Sequence, residues 1–305
     1  MPQHPFTPRH KRDLKRILRD LQAYFDSAFI YPRGNLLLDR VALIHVSKAL
    51  RVAQGVMALI DAGCGEEAFG LSRTMVEVAL NLRFITNRHS VRRAQRFVDY
   101  KSVWQLELIR RSLKHFYQRD EEGQLILDEE GEKIPTYTKA ELRKRMSDYP
   151  LHLKAARKFP RYASSWTDTR HRKGKRSKPT GVRMMAKEPD RYEFVSGVPF
   201  NWEFDYDWMY FWTSQYVHGT VVCMDSHAVY PRQPFSIHNA AVRLKHTEGL
   251  AAFNTAAQLN KILLAAFRAI GHEYPPRLST RMSNLLYSMI GKEPVKPEPT
   301  KRKKK

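Results

Sequence analysis

Apolar residues recur along most of the chain at intervals of three and four, the period of helices that bury one face. Leu14, Leu18 and Leu21 stand among lysines and arginines over 8–27, which predicts an amphipathic helix with a basic outer face, ended by YPRGN at 31–35. An Ala, Val, Leu and Ile stripe over 38–61 predicts a second helix, with its turn at Gly63 to Gly65. A third is expected from Glu66 to about Ile85 and a fourth from about Val91 to His115. Helical spacing returns over 205–222 and from His238 to Ile270, where Gly271 is a natural cap, and a short helix over 279–290 follows.

The middle of the chain breaks this pattern. DEEGQLILDEEGEKIPTY, 120–137, has the turn chemistry of a small hairpin or an ordered loop, and a short helix is expected at 138–147. TDTRHRKGKRSKPTG then has the composition of an exposed loop. No repeat of 20 to 50 residues is visible. The expected architecture is all-α. A basic helix and turn at 1–37 precede a multi-helix bundle at 38–290, which carries an irregular, basic insertion at 118–204, and a disordered basic tail closes the chain at 291–305.

Charge sharpens the picture. The formal net charge is +22, and eight lysines or arginines with no acid lie between Arg170 and Lys187, with five more in the terminal KRKKK. The rest of the chain remains basic, which points to RNA or other nucleic acid, to nucleotides or to an anionic surface. Solvated basic segments that serve only solubility are the plainer alternative. No stretch of 18 uninterrupted apolar residues or signal-peptide run is present, so no membrane partner is expected. Two cysteines, Cys64 and Cys223, exclude a disulfide framework and a cysteine-rich zinc site, and the reading is a reducing, cytoplasmic compartment. Oligomeric state is not readable.

Phosphate-cradling glycine loops, two-histidine zinc helices, nucleophile elbows and calcium loops are all absent from the sequence. No cofactor or metal is called for. Two constellations remain. Arg73 and Glu77 lie four apart on an otherwise apolar helix, and Ser214 and His218 share a strip with Tyr210 in DWMYFWTSQYVHGTVV, beside Trp208, Phe211 and Trp212. The two are expected to meet across a helix interface, with Tyr100 or Tyr216 edging the cavity and Trp202 in the core. In such a site His218 would act as acid or base and Arg73 would stabilise negative charge. If the cluster is buried, removing Arg73 alone should cost about 3–5 kcal/mol. Arg170, Arg172, Lys173, Lys175, Arg176 and Lys178 are candidate phosphate contacts.

The run LSRTMVEVALNLRFI followed far downstream by SQYVHGT resembles a widespread bacterial family of helical proteins catalogued as a domain of unknown function. That resemblance spans roughly 38–264 and rests on an R-[ST]-x-x-E helix, here Arg73, Thr74 and Glu77, and a late S-x-x-x-H, here Ser214 and His218. It implies a helical fold and a shared polar site. A more distant likeness is to the HEPN superfamily of helical, metal-independent ribonucleases, marked by Arg followed four to six residues later by His. RVALIH, RFITNRH and RRSLKH have that spacing, but chance supplies roughly three or four in so basic a chain, and Ser214 stands where the late helix would carry Arg. Three functions stay open: phosphodiester or nucleotide chemistry, binding of an anionic ligand or RNA, and a structural network serving protein contacts.

Overall fold

Thr7 sets the first helix. Its hydroxyl accepts the His10 backbone N–H at 3.3 Å while its own N–H donates to His10 Nδ1 at 3.3 Å, a reciprocal cap on α1, Pro8–Ser27. With Nδ1 accepting, the proton sits on Nε2, which donates to Ser288 Oγ at 2.9 Å. The leucine stripe, completed by Ile17, is buried. The computed structural model describes residues 6–27, 36–114, most of 117–159, 182–187, 202, 205–210, 213 and 245–293.

The described helices are α1, α2 at Leu36–Asp61, α3 at Gly65–Asn87, α4 at Ser90–Lys114, α5 at Tyr149–Ala156, α6 at Val182–Lys187, α7 at Lys245–Ala269 and α8 at Pro276–Met289, with a π-helical turn at Asp205–Tyr210. The fold is all-α. The chain divides into two units, 1–91 with 182–305, and 92–181. These boundaries differ from the 118–204 insertion expected from composition, because the division falls just inside α4.

In the first unit α3 packs most extensively on α7, α2 lies against both, and α8 joins α1 and α7. Their packing buries Val46, Ala49, Ala53 and Val56 of α2, Met75, Ala79 and Leu80 of α3, and Ala252, Leu259, Ile262 and Leu263 of α7. Each of the larger aliphatic side chains contributes about 1.5–3 kcal/mol on leaving water. The alanines let the helix axes approach. Gly65 is required for the same reason: a Cβ there would lie 2.8 Å from Thr247 Oγ1 and 2.9 Å from Glu248 Cγ at the start of α7. Gly271, at φ 68°, closes α7 as expected. Across this core Asn254 Nδ2 donates to Ser72 Oγ at 2.9 Å and to Ser72 O at 3.2 Å. Among the described helices α2 alone is long and apolar enough to cross a membrane, yet half of its most apolar window is buried inside the protein.

In the second unit Tyr100 of α4 meets Phe159 edge-on at 5.3 Å, and Arg96 lies over the same ring at 4.5 Å. Lys158 pairs with Asp99 at 2.6 Å. The stretch 120–135 is a doubled octad, DEEGQLIL then DEEGEKIP. Asp120 Oδ1 accepts the Gln124 N–H at 2.7 Å, and Asp128 Oδ1 accepts the Glu132 N–H at 2.8 Å, so each octad opens with the same side-chain-locked turn. Among the described residues the backbone pairs as isolated bridges, Tyr117 with Pro135 and Leu127 with Lys133. At 138–141 Thr138 and Glu141 form a capping box, the hydroxyl accepting the Glu141 N–H at 3.2 Å.

Candidate functional site

Helical spacing brings Arg73 Nε to Glu77 Oε1 at 3.2 Å. The π-helical turn packs on α3, and there Tyr210 receives a hydrogen bond from Arg73 Nη2 at 2.6 Å, with the guanidinium carbon 4.4 Å from the ring centroid. Tyr206 stacks on Tyr210 at 4.9 Å. Burial, reinforced by the Glu77 charge, raises the Tyr210 pKa against the opposing pull of Arg73, so the phenol stays protonated. Tyr210 therefore does face α3. The Arg73 and Glu77 side chains remain 21% and 37% exposed, so the pair is not the deeply buried one that would cost about 3–5 kcal/mol to break. An arginine held by a carboxylate and a phenol ties the turn to the helix.

Tyr100 belongs to the second unit and packs on Phe159. Ser214, Tyr216 and His218 lie outside the described residues, as do Arg170, Arg172, Lys173, Lys175, Arg176 and Lys178. Trp202 is buried, in keeping with a core role. The Arg-to-His spacings do not form joint sites where they are described. Arg40 is exposed while His45 is buried with Nδ1 donating to Val41 O at 2.7 Å, and Arg83 is buried while His89 is exposed. Among the described residues no group of three His, Cys, Asp or Glu could hold a metal ion.

The basic residues of α1 divide into committed and uncommitted ones. Lys11 and Lys15 both reach Asp61, at 2.6 and 2.5 Å. Burial pulls that carboxyl up, but the hydrogen bonds and charges of the two lysines outweigh it and hold Asp61 below the usual carboxylate range. Asp20 is taken by Arg281 of α8, and Arg9 lies 3.8 Å from Asp13. Arg12, Arg16 and Arg19 remain, all exposed and without an acidic partner among the described residues. At spacings of four and three they share one face, and a rise of 1.5 Å per residue spreads them over roughly 10 Å. They border an open groove of about 800 Å³ between α1 and α2, which also takes in Lys15, Gln54 and Asp61. The basic outer face of α1 was legible from its leucine stripe; which of its cations are neutralised depended on Asp61 and Arg281, remote in sequence.

No curated protein and no solved structure matches the chain. Over residues 39–231, a span that includes all but the first three residues of α2, together with α3, α4 and the π-helical turn, the sequence matches the family of unknown function DUF5677, and the chain belongs to that family.

Proposed function

We propose that the protein binds nucleic acid along the outer face of α1. The observation that carries this reading is the row Arg12, Arg16 and Arg19, exposed and without acidic partners among the described residues, beside Lys11 and Lys15, which share the single carboxylate of Asp61. Uncommitted arginines at one-turn intervals supply mobile, bidentate donors to successive phosphates, and the net charge of +22 adds long-range attraction. An amphipathic basic helix also suits a membrane surface, but that requires a free apolar face. Here Leu14, Ile17, Leu18 and Leu21 are buried in the bundle, so α1 has nothing to insert. Arg170, Arg172, Lys173, Lys175, Arg176 and Lys178 are proposed as further phosphate contacts on the strength of their composition. Arg73 is assigned no catalytic part, since its guanidinium is engaged by Glu77 and Tyr210. Because α1 precedes the span shared with DUF5677, the proposal concerns this chain and not the family.

Fluorescence anisotropy with labelled single- and double-stranded oligonucleotides, titrated at increasing salt, tests the reading. Replacing Arg12, Arg16 and Arg19 together by Gln should flatten the slope of log K against log salt by about 0.7–0.9 for each phosphate that is no longer neutralised, or roughly 2–3 in all. An unchanged slope overturns the assignment to α1.

A further inference from the structure

An open cleft of about 640 Å³ lies between α1 and α8. Helical period builds its walls: Arg9, Asp13 and Arg16 recur along one strip of α1, and Arg281, Asn284 and Ser288 along one strip of α8. Buried Ile17 and Leu285 form an apolar floor. Gly291, at φ 72°, turns the chain after α8, and Lys292 and Glu293 complete the lining.

Ser288 is the most constrained of these groups. Its oxygen accepts the His10 Nε2 proton at 2.9 Å, because Nδ1 is occupied as an acceptor by the Thr7 N–H at 3.3 Å. An imidazole in that tautomer cannot take the serine proton, so Ser288 is no activated nucleophile. Its own O–H is instead a donor at the wall of the cleft, where the residue is exposed. His10 is 7% exposed, so the hydroxyl is fixed from the protein side.

Only part of the charge around the cleft is satisfied within the protein. Arg281 is held by Asp20, and Arg9 lies 3.8 Å from Asp13. The side chains of Arg16, Asn284, Lys292 and Glu293 have no partner among the described residues. The last carbonyls of α8, which would repel an anion, are partly taken up: the Gly291 N–H donates to Ser288 O at 3.1 Å and the Lys292 N–H to Tyr287 O at 2.9 Å.

These groups select a ligand by its chemistry. Arg16 and Lys292 supply positive charge and the Ser288 hydroxyl adds a directed donor, a set that suits the several oxygens of a phosphomonoester. Asp13 and Glu293 accept hydrogen bonds and call for hydroxyl groups on the rest of the guest. The described lining contains no aromatic ring, so a base would have no platform on which to stack. The volume falls within the 300–1,000 Å³ of small-molecule sites, more than a bare phosphate fills.

We infer that this cleft binds a sugar phosphate, at a site that shares Arg16 with the row on α1 but takes a small ligand and does not depend on that row binding nucleic acid.

Calorimetric titration of the full chain with ribose 5-phosphate, at ionic strength held constant with sodium chloride, tests the inference. The expected result is saturable one-to-one binding, tighter than that of inorganic phosphate, which Lys292→Gln and Ser288→Ala each weaken about fivefold or more. Arg12→Gln combined with Arg19→Gln, both outside the cleft, should leave it unchanged. Lys292 follows α8 and is exposed, so its variant keeps the test valid should loss of the Ser288 contact loosen α1. Absence of saturation up to about 10 mM, binding no tighter than that of inorganic phosphate, or an affinity unaltered in both variants overturns the inference. Oligonucleotides with and without a 5′-phosphate separate the sources. A gain from that phosphate that Lys292→Gln abolishes assigns the ligand to a strand end, and no gain assigns it to a free sugar phosphate. An unchanged salt slope in the arginine-row variant leaves the ribose 5-phosphate result standing, and the converse also holds.

Discussion

Arg16 on α1 and Arg83 on α3 carry the same group into opposite surroundings. The first is exposed in a row with Arg12 and Arg19; the second is 3% exposed, bonded to a backbone carbonyl and close to an indole. An exposed guanidinium keeps its hydration, costs the fold almost nothing and acts at a distance that salt screens within about 10 Å. A buried one has given up water, so the protein must position it and its effect is local and weakly screened. Charge count alone treats the two as equal. Position separates them.

Stability should separate them most. Arg83→Met removes the donor to Met185 O and the cation beside Trp202, and should cost about 2–4 kcal/mol in urea unfolding. Arg16→Gln should change stability by no more than about 0.5 kcal/mol. Equal costs would show that the burial contrast has no energetic content.

The sequence made one side of this contrast legible and hid the other. The apolar spacing places α1 to α4 within about two residues of their observed ends, and α1 to α3 bury their stripes, whereas α4 leaves Val98, Trp104 and Leu108 exposed. α8 begins three residues earlier than expected because Pro276 occupies its first turn, where a missing N–H costs nothing. α5 has no buried residue and hence no stripe to find. The turn at Asp205–Tyr210 is π-helical where an α-helix was expected. Arg73 and Glu77 are neighbours by helical period alone, whereas Arg83 and Lys261 are brought together by packing of α3 on α7, with no local signal in either segment. An all-α chain of uncharacterised family was expected, and the match to DUF5677 agrees with it.

A buried group that can discharge sharpens the comparison further. Burial lowers the His45 pKa below the ordinary histidine value of 6.5, against the hydrogen bond to Val41. The folded imidazole therefore stays neutral where the unfolded one already binds a proton. Stability that His45 permits is complete above about pH 6.5 and is lost as pH falls from there towards the folded value. Unfolding measured between about pH 7.5 and 5 should show this loss, and His45→Phe should reduce it. Asp61 is distinct, since a lowered carboxylate loses its contribution only below about pH 4. An undiminished loss in His45→Phe would assign the acid sensitivity to another group.

Arg73 is the intermediate case, and its effect should fall between those of Arg83 and Arg16. Its side chain is 21% exposed, between the Arg16 and Arg83 extremes, and it divides its contacts between Glu77 and Tyr210. A half-exposed pair on one helix face is worth about 0.3–0.5 kcal/mol, because water still solvates both ions. The Tyr210 contact combines a hydrogen bond with a cation over a ring and should add about 0.5–1 kcal/mol. Double-mutant cycles, Arg73 with Glu77 and Arg73 with Tyr210, each against Ala or Phe, should therefore return a larger coupling for the tyrosine than for the carboxylate. That order follows from the turn being fastened to α3 through the phenol, with Glu77 orienting the arginine. A Glu77 coupling near about 3 kcal/mol would mean instead that the pair is sealed from water in solution, and Arg73 would then belong with Arg83.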